Sequence, residues 1–200
     1  MNRPGVLASV AAGLLAIPAV AQAHLVNSGL GPFYDGALHL LLSPGDLLGL
    51  VAAALLAGLR GARAGRLTVM ALPISWLLAG MIGMSLPVTL DLPWFSALSV
   101  IALGVLVAAD ARLPPLAVGS LGGGYGALHG LLNGTALAAI GAAPSTLFGI
   151  ALTVLLLTLL TAAAVTPVRA LWARVAVRVA GSWVVAVGML TLGWLAQGVA

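Results

Sequence analysis

The chain has 200 residues, of which 62% are hydrophobic and only 6% charged, with a mean hydropathy of +1.20. Soluble chains carry about 25% charged residues, so the eight Arg and four Asp present, without Lys or Glu, exclude a water-exposed globule and a disordered chain alike. The net charge of +4 is too sparse to form the basic cluster that nucleic acid requires, and the absence of Cys removes disulfides, thiolate metal sites and Cys nucleophiles.

The chain opens with a basic start ending at Arg3, an apolar run over residues 6–20, and Ala21-Gln22-Ala23, a small-x-small site of the kind signal peptidase cleaves. Residues 1–23 therefore read as a signal peptide. The competing reading is a retained anchor, against which Pro18 and the Ala-Gln-Ala ending argue. Cleavage leaves a mature chain starting at His24, whose α-amine and imidazole together can chelate a divalent ion. Position alone explains His24 equally simply.

Beyond residue 23 the chain offers six apolar stretches of about the length that crosses a bilayer, near residues 38–59, 67–87, 93–110, 115–140, 145–166 and 178–197. The predicted architecture is all-α, a single polytopic membrane bundle of six transmembrane helices over residues 24–200. With the mature N-terminus outside, the inner loops fall at 60–66, 111–114 and 167–177. Those loops and the helix edge beside them hold Arg60, Arg63, Arg66, Arg112, Arg169, Arg174 and Arg178, so every Arg beyond the signal segment meets the positive-inside rule. The prediction is an inner-membrane protein with both termini on the outer side.

Three of the acidic residues, Asp35, Asp91 and Asp110, fall at or outside the membrane faces, but Asp46 lies within the first apolar stretch. A carboxylate there costs about 2.5–3.5 kcal/mol even on lenient insertion scales. It therefore faces a polar interior or a cation, or it caps a helix restarted by Pro44-Gly45; the two roles are compatible. His39 shares its face if the helix continues through Pro44.

In the fourth stretch Gly122, Gly126, Gly130 and Gly134 recur every four residues and line one helix face, which predicts close backbone packing against a neighbour. His129 and Asn133, also four apart, form a polar pair on the adjacent face. Imidazole, carboxylate and amide oxygen together suit divalent first-row metals such as nickel, cobalt or zinc. The candidate metal residues are His39, Asp46, His129, Asn133 and His24. An intramembrane His serves equally as an interhelical hydrogen-bonder. Met81, Met84 and Tyr125 are further path candidates, although Met at helical spacing is usually packing, and the Thr residues of the fifth stretch read as helix hydrogen-bonders.

These features resemble the HupE/UreJ membrane proteins, proposed nickel or cobalt permeases associated with hydrogenase and urease maturation. The likeness rests on Ala23-His24-Leu25 after the signal segment, the His of the first span and the His-Gly of the fourth. Against the family's His-Pro-x-x-Gly-x-Asp-His, His39 matches the first His, Leu40 replaces Pro, Gly45 takes the acidic position and Asp46 replaces the second His. Against Phe-His-Gly-x-x-His-Gly, His129 and Gly130 match and Asn133 replaces the second His. The resemblance implies a divergent member that moves a divalent metal ion as cargo, with no tightly bound cofactor.

Two functions follow. The first is a secondary permease for nickel or cobalt, with His24 and Asp35 collecting the ion outside. Its partners are the lipid bilayer and the metal ion, with a homo-oligomer or hydrogenase and urease maturation proteins as further candidates; nucleic acid is not among them. The second is a non-transporting accessory or scaffold protein whose Gly stripe packs against itself or another subunit. An intramembrane hydrolase ranks below both, because no spacing specifies a nucleophile, and the chain reads as a non-enzyme.

Overall fold

The computed structural model describes residues 28–198, over which the fold is all-helical. Among those residues seven helices follow one another: α1 (Pro32–Leu42), α2 (Pro44–Arg60), α3 (Ala62–Ser85), α4 (Pro93–Ala108), α5 (Pro115–Ala139), α6 (Pro144–Val165) and α7 (Leu171–Ala196). The predicted signal peptide and His24 lie outside the described residues.

The first expected span, 38–59, is not one helix. It divides into α1 and α2, bent by 76° at Ser43. Pro44 has no N–H to continue α1 and disfavours helical backbone at the residue before it, and Ser43 is accordingly extended, at φ −98° and ψ 91°. The Ser43 hydroxyl donates to the His39 carbonyl at 2.8 Å, satisfying one of the acceptors left open at the end of α1.

Two expected inner loops are also shorter than the charge pattern implied. Gly61 alone separates α2 from α3; its φ of +94° is one that residues with a Cβ rarely adopt, and it turns the chain within one residue. Arg63 and Arg66 therefore stand on α3 and not in a loop over 60–66. Likewise α7 begins at Leu171, so Arg174 lies on its first turn and not in a loop over 167–177, and Arg178, expected at the helix edge, lies two turns in.

α3, α6 and α7 are long and apolar enough to cross a membrane, and the bent α1–α2 pair makes a fourth if counted as one span. α4 has 16 residues, about 24 Å of helix. α5 has 25 residues, but Gly, Ser, His and Asn dilute its apolar character.

α2 is the central element. Its buried run from Leu50 to Leu59 is mostly Ala, Leu and Gly, and α3, α4, α5, α6 and α7 all pack around it. The most extensive pairing is α3 on α5, where the glycine stripe meets backbone directly: a Cβ added at Gly130 would fall on the Trp76 carbonyl, and one at Gly134 on the Gly80 carbonyl. The predicted stripe is thus consumed within the chain. It is not available to a second subunit, which removes the surface that the scaffold reading assigned to it.

The arginines collect at one end. Asp110, just past α4, accepts from Arg174 Nη2 at 2.7 Å and pairs with Arg60 at the end of α2, while Arg178 Nε donates to the Ala108 carbonyl at 2.9 Å. Partial burial opposes ionisation of Asp110, but the hydrogen bond from Arg174 and the charges of Arg60, Arg174 and Arg178 outweigh it and hold the carboxyl below its ordinary range. On α7, Trp172 and Trp194 are both exposed and lie 22 positions apart, about 33 Å, the spacing of two membrane interfaces.

Candidate functional site

The bend at Ser43 determines what Asp46 does. Asp46 falls in the first turn of α2, where the uncapped amides and the helix dipole favour a negative charge. Its side chain makes no capping bond. It turns across the bundle to α5, where Oδ1 lies 2.6 Å from His129 Nδ1 and Oδ2 accepts from Asn133 Nδ2 at 2.9 Å. The i, i+4 spacing on α5 brings His129 and Asn133 to the same carboxylate, one to each oxygen. Asn133 also donates to the His129 carbonyl at 2.9 Å, so both amide hydrogens are committed and Oδ1 is the atom it has left to offer.

The imidazole is locked on every side. His129 is 1% exposed, stacks on Tyr125 at 4.0 Å between ring centroids, and has Trp76 of α3 at 6.0 Å. Its Nε2 lies 2.9 Å from Ser99 Oγ on α4. Tyr125 in turn donates its hydroxyl to the Asp46 carbonyl at 2.9 Å. Gly49 makes this fit, because a Cβ there would collide with the Tyr125 phenol.

A cavity of about 460 Å³ opens beside the cluster, lined by His39, Asp46, His129 and Asn133 and, toward the α3–α4 loop, by Asp91. Four of the five predicted metal residues thus line one space. His39 reaches it from α1, on the far side of the bend, and among the described residues its ring has no hydrogen-bond partner. Asp35 does not line the cavity; its carboxylate accepts from the backbone N–H of Ser28 at 2.7 Å and is also bonded by the Ser28 hydroxyl. Of the two acidic residues expected in outer segments, Asp91 lines the cavity and Asp35 does not.

The chain matches the family model described as HupE / UreJ protein over residues 12–191. The chain belongs to the HupE/UreJ family. Searches of curated proteins and of solved structures give no match. HupE/UreJ proteins are membrane proteins associated with nickel or cobalt uptake or with accessory roles. In this HupE/UreJ chain the two segments that resemble the family's patterns, residues 39–46 across the α1–α2 bend and residues 128–134 on α5, meet at the Asp46–His129–Asn133 cluster.

Sequence reading missed Ser99, which lies in an otherwise apolar helix; only its spacing of three from Ser96, one helical turn, marks a polar edge there. Tyr125, a further path candidate in the sequence, does not line the cavity; it stacks on His129 and bonds the Asp46 carbonyl. Met81 is 53% exposed on the outside of α3, and Met84 packs against the core; neither lines the cavity. Thr153 and Thr158 bond the carbonyls four residues back in α6, as their spacing implied.

Proposed function

We propose that the protein is a secondary permease for a divalent transition-metal ion, nickel or cobalt, in the inner membrane. Six spans follow a cleaved signal peptide: the bent α1–α2 pair, then α3 to α7, with the arginine end cytoplasmic and the cavity and both mature termini on the outer side. The observation that carries this reading is the cavity floored by Asp46, His129 and Asn133 and entered past Asp91 and His39. From the cavity end of α5 at Ala139, His129 is ten residues in, about 15 Å deep. That is near mid-membrane, where broken helices carry ions in other transporters.

The donor chemistry fits a passing cation better than a resident one. Among the described residues no three His, Cys, Asp or Glu gather as a metal cluster, and conduction requires sites weak enough to leave. Asp46 holds Nδ1 of His129 and Ser99 faces its Nε2, so the ring is fixed in orientation and in turn holds the Asp46 carboxylate in place beside the cavity. The Ser99 hydroxyl lies 2.9 Å from Nε2 and 2.7 Å from the Ser96 carbonyl, and its one hydrogen serves one of them. Asp46 and Asn133 Oδ1 supply the oxygens, and His39 and a terminal His24 lie on the approach. A divalent ion entering across 100 mV, inside negative, gains about 4.6 kcal/mol, which drives uptake without ATP.

Ser99, His129 and Asp46 also stand in the order of a serine hydrolase relay. Ser99 is absent from the cavity lining, however, so a substrate carbonyl entering there does not meet it. The accessory reading keeps the same fold and predicts no flux. Uptake of radiolabelled nickel, cobalt, zinc and copper into proteoliposomes under a membrane potential separates the two: potential-driven entry of nickel or cobalt supports the permease, and no flux of any of the four overturns it.

A further inference from the structure

The arginine end is not uniform. Arg60 and Arg174 are neutralised by Asp110, and Arg178 is bonded to a helix-end carbonyl. Arg66 and Arg169 have no acidic partner among the described residues. Both stand at a second cavity, about 530 Å³, between α3 and α6, far along the bundle from the Asp46 cluster.

The space is a slot with one wet end. Its walls are apolar, and Met70 and Leu159 on its flanks are 60% and 46% exposed, so it opens sideways toward lipid. It exists because its floor is small: a Cβ at Gly65 would meet only the Thr166 hydroxyl at 3.8 Å and the Ala162 methyl at 4.0 Å. At the wet end Arg169 Nη1 donates to the Thr166 carbonyl at 2.9 Å, which fixes the guanidinium over the slot with most of its donors unspent. α3 begins at the same rim with no side-chain cap, adding the partial positive charge of its first-turn amides.

We propose that this groove binds one anionic phospholipid, its acyl chain along Met70 and Leu159 and its phosphate between Arg66 and Arg169. Apolar walls give free phosphate nothing to bind, and two uncompensated cations at the level of the headgroups favour a lipid of net negative charge over a zwitterionic one. Neither residue takes part in the metal path, so the binding stands or falls independently of transport.

Native mass spectrometry of the detergent-solubilised full chain tests this, with phosphatidylglycerol, phosphatidylcholine and inorganic phosphate as probes. Phosphatidylglycerol is expected to be retained over phosphatidylcholine. The Arg66→Ala, Arg169→Ala double variant is expected to lose about thirtyfold of that retention, about fivefold per arginine. Gly65→Leu, which fills the slot and keeps both charges, should lose it too, whereas Arg112→Ala, which removes a charge outside the groove, should not. Equal retention of the two lipids, displacement of the lipid by inorganic phosphate, or an equal loss in Arg112→Ala overturns the proposal.

Discussion

Asp46 and Asp110 are both carboxylates bound by side chains from other helices, but they are built into opposite kinds of surroundings. Asp110 sits at the end of the bundle, 24% exposed, and is held by two full cations, Arg60 and Arg174. Asp46 is 14% exposed, lies deep between helices, and is held by an imidazole and an amide. Charge alone satisfies the first; geometry satisfies the second, through a bend, an i, i+4 pair and a glycine that admits Tyr125. A cluster of strong cations would repel a metal ion, whereas Asp46 and Asn133 Oδ1 keep lone pairs that a metal ion can share.

The contrast breaks first where the frame of the deeper cluster breaks. Gly130→Leu drives a side chain into the Trp76 carbonyl, where backbone leaves no route to relax. It is expected to cost at least about 3 kcal/mol, at the top of the over-packing range, and to appear as loss of folded protein in detergent. Asp46→Ala leaves the buried His129 and Asn133 donors without an acceptor and should cost about 3 kcal/mol, read as a lowered thermal midpoint.

At the arginine end the effects are smaller and depend on pH and salt. Asp110→Asn is expected to cost about 1 kcal/mol at neutral pH, less in high salt. Because its folded pKa lies below the ordinary carboxyl value, the stability it contributes is complete above about pH 4 and is lost as pH falls through that lower folded value. Wild type and Asp110→Asn should therefore differ in thermal midpoint at pH 7 and converge under strong acid. Smallest of all, Met81→Leu on the lipid-facing side of α3 should change stability by less than about 0.5 kcal/mol and leave uptake unaltered.

Sequence carried the parts of this contrast that depend on one helix at a time. The glycine stripe, the His129–Asn133 pair and the one-sided arginines each follow from spacing or from the membrane's charge rule, and Asp46 was visible as a carboxylate out of place. What depended on two helices was not legible. Whether Pro44 kinks or breaks the first span is set by what α1 packs against, and the structure turns it by 76°. Ser99 joins the site only because α4 passes His129, and Arg174 reaches Asp110 only because α7 starts several residues before its apolar run. Asp35 and Asp91, equally acidic in the sequence, are told apart only by the cavity.

Radiolabelled nickel and cobalt uptake by proteoliposomes carrying wild type, Asp46→Asn and Asp110→Asn, at matched amounts of folded protein, puts the two carboxylates side by side. The account predicts potential-driven flux in wild type and Asp110→Asn and its loss in Asp46→Asn, which removes the charge that the path supplies. Flux in Asp46→Asn equal to that of wild type would contradict it.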